Sequence, residues 1–392
     1  MESRDTYMKA HSYCSFDFIF VSVALFIVTL YSSSSFSFMG CSLIGVMLLI
    51  LWAGLRIIKV GVKIDAVVIP LVVFSFFLMF LLLCRYSVEP GAYYSFDSDL
   101  KSHFFTFSYI YIAIFLYAYF KVDYNAFYKV IFFIILCHVI FFVIQELLYY
   151  FVDYTLDFST WLGGEGNRTG KSGADIFRGT GFFDEPSIYC GFLISLLSLS
   201  QLVKKTPAWL DSVVGGTVII SFSFAGYIML LLFVLNKYIK INFRGLLVIC
   251  SVFLIFLYLY LDNEFIAGRL SKLFSGDDSS TIYKSLYISY WLSQPEYFYV
   301  GTGISNDIHR PDFFDASYDL TFFGSIITTY GLVLSLIVLL VFVFYFRRCR
   351  LRSINYFLIP LIKITVLHTP LFVFMFLSLC ILNTQRRRCG TH

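Results

Sequence analysis

Apolar residues in this chain come in long unbroken runs rather than in alternation with polar ones. The runs lie at roughly 16–31, 38–58, 64–84, 104–120, 128–152, 186–203, 207–220, 223–236, 245–261, 319–346, 354–367 and 370–384. About twenty apolar residues suffice to cross a bilayer as a helix, and helix satisfies the backbone within such a run. The pattern predicts an all-α, polytopic integral membrane protein with about twelve transmembrane helices. The number is ten if two long stretches stay undivided. One division falls at Ser221-Phe-Ser-Phe-Ala-Gly226, the other at His368-Thr-Pro370. Some of the resulting pieces are only about 14 residues long, short for a full span, and short discontinuous segments in membrane proteins often line sites. Residues 1–392 read as a single transmembrane domain.

The basic residues favour both divisions. With the N-terminus inside, nineteen of the 29 Lys and Arg fall on the inner side, nine outside, and Lys363 within a span. Inner loops carry such an excess. Without the divisions, Lys237, Lys240 and Arg244 would lie outside, and the two C-terminal basic clusters would face opposite sides. Both termini are therefore expected inside. The outer loops are 85–103 and two larger ones, 153–185 and 262–318. The N-terminal run ends in Tyr31-Ser-Ser-Ser-Ser35 without a small-x-small cleavage pattern, so it reads as a retained span.

Composition agrees with this picture and narrows the function. The chain is 59% hydrophobic and 14% charged, where soluble domains carry about 25% charged residues. It has no Walker loop, no GxGxxG after a strand and no HExxH. An ATP-driven pump or a nucleotide-sugar enzyme with a cytosolic domain is disfavoured. The nine cysteines show no CxxC pair and no Cys/His ligand spacing, so neither a disulfide framework nor a zinc site is expected. The expectation is no metal, no cofactor and no nucleic-acid partner.

Candidate chemistry gathers in the outer loops. Arg178-Gly-Thr-Gly-Phe-Phe-Asp-Glu-Pro-Ser-Ile-Tyr-Cys-Gly191 leads from a polar loop into an apolar run. Pro186 suits a first helical turn, and Asp184 and Glu185 precede it where the positive helix end favours acids. Arg178 is either a phosphate grip or a solvated side chain beside a well-capped helix. Arg269, Lys284 and Arg310 are further outer cations with the same two readings. In the third loop, Asp277-Asp-Ser-Ser280 starts a helix and Pro295 stops it. Lys284, Tyr287 and Trp291 share one face of that helix. The face suits either a sugar–phosphate ligand or the membrane interface. His309 is the foremost outer proton acceptor, with His103 and His368 as others, and a structural histidine is the alternative for each. Glu185 is the rival base. Glu146, Lys363 and His368 lie within spans, where a polar group is costly unless paired or facing a cavity.

These residues and their order resemble the O-antigen polymerases of the Wzy type, enzymes of surface polysaccharide assembly. Four segments carry the resemblance: Arg178-Gly-Thr-Gly-Phe-Phe-Asp-Glu-Pro-Ser187, Ser221-Phe-Ser-Phe-Ala-Gly-Tyr227, Arg269 with Asp278-Ser-Ser-Thr-Ile-Tyr-Lys284 and Gly301-Thr-Gly303, and Phe323-Gly-Ser-Ile-Ile-Thr-Thr-Tyr-Gly331. They cover most of 178–346. Lys284 departs from the pattern, since related loops often have arginine there. The resemblance implies a glycosyltransferase of the bacterial inner membrane, multi-pass, with cytoplasmic termini. It would join polyprenyl-pyrophosphate-linked oligosaccharide repeats at the periplasmic face. Arg178 and Arg269 would grip the donor, Lys284 and Arg310 would assist, and His309 or Glu185 would activate the acceptor. The implied partners are the two lipid-linked glycans, membrane lipid and a chain-length regulator protein. An O-antigen ligase of the same superfamily is the alternative. A polysaccharide flippase is the contrasting class, and it would be expected to carry charges through its spans and to have smaller outer loops.

Overall fold

The computed structural model describes residues 15–30, 36–60, 66–88, 93–121, 123–162, 177–238, 271, 279–304, 310–347, 349–364, 367 and 369–388. The predicted run 245–261, together with Arg269, His309 and His368, lies outside the described residues. Among the described residues there is no strand. The helices are α1 (Ser15–Thr29), α2 (Phe36–Val60), α3 (Ile69–Val88), α4 (Phe96–Phe120), α5 (Tyr124–Val152) and the short α6 (Phe158–Trp161). They continue with α7 (Pro186–Val203), α8 (Ala208–Ile220), α9 (Phe224–Tyr238), α10 (Ser279–Ser293), α11 (Pro295–Val300), α12 (Phe322–Phe346), α13 (Leu351–Leu358) and α14 (Pro370–Arg388). Six are long and apolar enough to cross a membrane, and five shorter ones are apolar as well. The protein is an all-α polytopic membrane protein.

α7 lies at the centre. In its apolar window 83% of residues are buried, against 28% in α2. It packs on α5, α8, α9, α13 and α14. A helix apolar on every side is stable only when surrounded, and Tyr189, Leu193, Leu196, Leu197 and Leu199 are all fully buried. Its start at Pro186 needs no N–H, and the Glu185 carbonyl accepts from the amides of Ile188 and Tyr189 at 3.1 Å.

Both expected divisions exist. α8 and α9 meet at a turn where Phe222 has φ 50°, and the far end of this hairpin is tied by Asp211, which takes the Lys237 ammonium and the Tyr238 hydroxyl. The second division separates the turn ending at Ile362 from α14. One boundary differs from expectation. α4 starts at Phe96, eight residues before the apolar run, with Ser95 accepting from the Ser98 amide at its N-terminus. Its first two turns hold Asp97, Asp99, Lys101, Ser102 and His103, so hydropathy hides a helix that side-chain pairing stabilises.

α12 is broken inside its apolar run. Gly331 has φ 78° and ψ 173°, outside helical geometry. A non-helical carbonyl at membrane depth needs a protein partner. Here the Thr302 amide donates to Thr328 O at 2.9 Å and the Gly303 amide to Thr329 O at 3.0 Å. A side chain at Gly331 has no room, since its Cβ would stand 2.2 Å from Tyr299 O. Gly331→Ala should therefore lose at least about 1–3 kcal/mol through strain alone. Gly216→Ala is the control, because a Cβ there meets nothing within 4 Å and a mid-helix Gly→Ala gains up to about 1 kcal/mol. Equal unfolding midpoints for the two variants in detergent would refute the close approach.

Candidate functional site

Two contact units form at one end of the bundle, and a cluster of three charges lies between them. The first unit is built on α5. Gln145 and Glu146 sit side by side near its end and hold the segment before α7 by its backbone. Gln145 Oε1 accepts from the amides of Thr180 and Gly181 at 2.8 and 2.9 Å. Its Nε2 donates to Leu156 O at 2.8 Å. Glu146 Oε1 accepts from the Gly179 amide at 2.8 Å, which gives this span carboxylate a defined partner. Arg178 is thereby fixed over the α8–α9 turn, where its Nη2 donates to Phe222 O at 3.2 Å. Cys190 of α7 meets the same turn, with Sγ 2.9 Å from Ser221 Oγ. Gly226 allows this approach, since a Cβ would stand 2.7 Å from that of Cys190. The Arg178-to-Ser187 and Ser221-to-Tyr227 segments, some 40 residues apart, are one structure.

Glu185 is the N-cap residue of α7 in extended conformation, but its side chain makes no cap bond. Its Oε2 instead accepts from Ser187 Oγ at 3.3 Å. The carboxylate stands half-buried at the mouth of the helix.

The second unit surrounds the break in α12. Arg85 is fully buried and uses its whole fork. Nη1 donates to both oxygens of Asp99 at 2.9 and 2.8 Å, Nε to Val300 O at 2.9 Å, and Nη2 to Thr329 O at 2.7 Å. The Tyr330 ring covers the guanidinium at 4.9 Å, and Tyr94 donates to Asp99 Oδ2 at 3.0 Å. His103, an outer histidine in the sequence, is buried here with Nδ1 2.7 Å from Asp99 O. The geometry makes Arg85, Asp99 and His103 a structural clamp on Gly301-Thr-Gly303 and on Thr328–Gly331.

Between the units, Asp319 precedes α12 and takes two ammonium groups. Lys363 Nζ lies 2.8 Å from Oδ1 and Lys284 Nζ 2.8 Å from Oδ2. Partial burial pushes the Asp319 carboxyl up, but Lys363 and Lys284 outweigh it and hold the pKa at about 2. Lys363 also packs its stem across Gly191 in α7, where a Cβ would stand 2.7 Å from Lys363 Cγ.

Of the residues singled out in the sequence, Arg178 and Glu185 flank the short segment leading into α7, and Lys284 reaches the same helix through Asp319 and Lys363. Arg310 pairs locally with Asp315. Arg269 and His309 lie outside the described residues. The aromatic face beside Lys284 differs from both sequence readings. Tyr287 is fully buried with its hydroxyl 2.9 Å from Thr302 Oγ1, and Trp291 Nε1 donates to Tyr297 O at 3.2 Å. These rings pack the loop itself, leaving Lys284 as the part of that face open to solvent. Asp319 was missed. Its only signal is that it is an acid at the first position of the apolar run 319–346, which states a position but not a partner.

A comparison with protein-family models and with curated proteins found no match to this chain.

Proposed function

We propose that this chain is an O-antigen polymerase of the Wzy type, acting at the periplasmic face of the bacterial inner membrane with both termini in the cytoplasm. The observation that supports this reading is convergence. Described parts of all four segments behind the resemblance pack at one end of the bundle, in two adjoining units around α7 and the broken α12. Two lipid-borne substrates call for an enzyme that is itself embedded in the bilayer, as apolar helices of this length allow.

In this reaction the acceptor hydroxyl oxygen bonds to the anomeric carbon of the donor glycan. The bond from that carbon to polyprenyl pyrophosphate breaks, and the hydroxyl proton passes to a base. Charge develops on the leaving oxygen, so cations already in place at the α7 mouth lower the barrier. Arg178 supplies a planar fork suited to a phosphate, with Arg269 as its counterpart in the 262–318 loop and Lys284 and Arg310 as supporting cations. Glu185 and His309 are the two bases to be separated, Glu185 being the one beside Arg178.

A deletion strain provides the test. Loss of this protein should leave surface lipid carrying a single glycan repeat, restored to long polymer by the wild-type chain. Full-length polymer retained on the polyprenyl lipid would mean a ligase instead. Lipid-linked repeats trapped on the inner side would mean a flippase.

A further inference from the structure

Asp319, Lys284 and Lys363 come from three separate parts of the chain and meet beside the second turn of α7. One cation would close the charge of one carboxylate. Among the described residues two ammonium groups face it, so the described cluster has one more positive charge than negative. It is also open to water: the side chains of Asp319, Lys284 and Lys363 are 39%, 33% and 19% exposed. A buried structural bridge would exclude solvent, as Arg85–Asp99 does at 0% for both partners. Each Asp319 oxygen takes one ammonium at 2.8 Å, which is how two oxygens of a phosphate group take two cations. The Lys363 stem is held by its packing across Gly191, so its ammonium needs no ligand to be positioned. The start of α7, five residues before Gly191, adds a positive helix end.

We propose that Lys284 and Lys363 form a phosphate subsite for the diphosphate of the lipid-linked donor, and that Asp319 occupies it as a built-in plug which the incoming phosphate displaces. This inference rests on the polymerase reading for the identity of the ligand. It adds the two lysines to Arg178 as cations near the start of α7 for the donor diphosphate. It also gives the resting site a carboxylate in place of water, so that a weak anion such as chloride meets a filled position.

Binding of inorganic pyrophosphate to the purified full chain tests the proposal, with the protein in neutral-lipid nanodiscs at low salt and calorimetry as the readout. Asp319→Asn removes the competing charge and should bind about tenfold tighter or more, the size of one charge-assisted hydrogen bond. Lys363→Gln and Lys284→Gln should each weaken binding by about tenfold or more, and Lys284→Arg should retain it. Asp319→Asn binding no tighter than wild type overturns the plug. Glutamine variants that melt like wild type and bind equally well overturn the subsite, and the Lys284 pair decides this even where Asp319→Asn does not fold. Farnesyl diphosphate binding more tightly than inorganic pyrophosphate supports a lipid-borne ligand, and equal affinity overturns that assignment. Nanodiscs rich in phosphatidylglycerol that abolish pyrophosphate binding would instead assign the pair to lipid headgroups. Lipid-linked repeats given to the same preparations separate the two readings. Polymer formed by glutamine variants that bind pyrophosphate normally overturns the subsite alone. Pyrophosphate binding as expected, with no polymer from wild type, overturns the polymerase reading and leaves a phosphate site.

Discussion

Arg85→Ala will lower the stability of the bundle by about 3–5 kcal/mol, the cost of breaking a buried ion pair from one side. The alanine leaves Asp99 without that cation, with Tyr94 and His103 as its other side-chain partners among the described residues. It also strips Val300 O of its guanidinium donor, and leaves Thr329 O with the Gly303 amide but without the arginine. Arg85→Lys keeps the charge but loses the fork, and cannot reach Asp99, Val300 O and Thr329 O together. It should recover part of the loss. The double variant Arg85→Met, Asp99→Leu removes both charges and should be more stable than either single change, because the unpaired charge causes most of the damage. Melting of the purified proteins in detergent checks the order. An Arg85→Ala protein that melts with the wild type would show that the clamp is not what holds the loop to α12.

Arg178→Ala should behave in the opposite way, folding normally and failing in turnover. Its hydrogen bond to Phe222 O is worth about 1 kcal/mol, well below the loss expected at Arg85. The segment around it stays anchored through Gln145 and Glu146, which bind the amides of residues 179–181 rather than the arginine. If Arg178 meets the leaving diphosphate, its removal should cost about 10²–10³ in kcat, by the measure of a lost oxyanion-hole donor. Arg178→Lys should recover little, since a single ammonium cannot take two phosphate oxygens in one plane. Polymer formation from purified lipid-linked repeats gives the rates. A stably folded Arg178→Ala enzyme with near-normal kcat would remove Arg178 from the reaction.

The sequence made the helices legible where a boundary has a chemical marker. Pro186 placed the start of α7 to the residue, and basic residues placed both hairpin divisions, because charge and proline act locally. The start of α4 was hidden, because its first turns are polar and are stabilised by Arg85 from another helix. The break at Gly331 was hidden for a related reason. Hydropathy registers apolar side chains, whereas the break is a backbone event completed by amides 26 residues upstream. At the candidate site, Arg178 and Lys284 could be named from position, but their partners could not. Lys363 reads in the sequence as a lone cation in an apolar run, with a phosphate or a carboxylate as its partner. Only the fold supplies Asp319, 44 residues away. Tyr287 and Trp291 were placed on the correct helix face, yet periodicity does not distinguish a ring awaiting a ligand from a ring packed against its own loop.

The clamp around Arg85 also bears on how the chain is made. Asp99 follows Arg85 by only 14 residues, so the pair can close while α3 and α4 are leaving the insertion machinery. Thr329 comes 244 residues later. Through most of synthesis the guanidinium holds donors whose final acceptors do not yet exist. When α12 is inserted, its broken backbone has open carbonyls that lipid cannot satisfy, and the waiting arginine together with residues 302 and 303 supplies what they lack. A pair close in sequence thus supports a contact that spans most of the chain, and the broken helix α12 depends on residues made long before it.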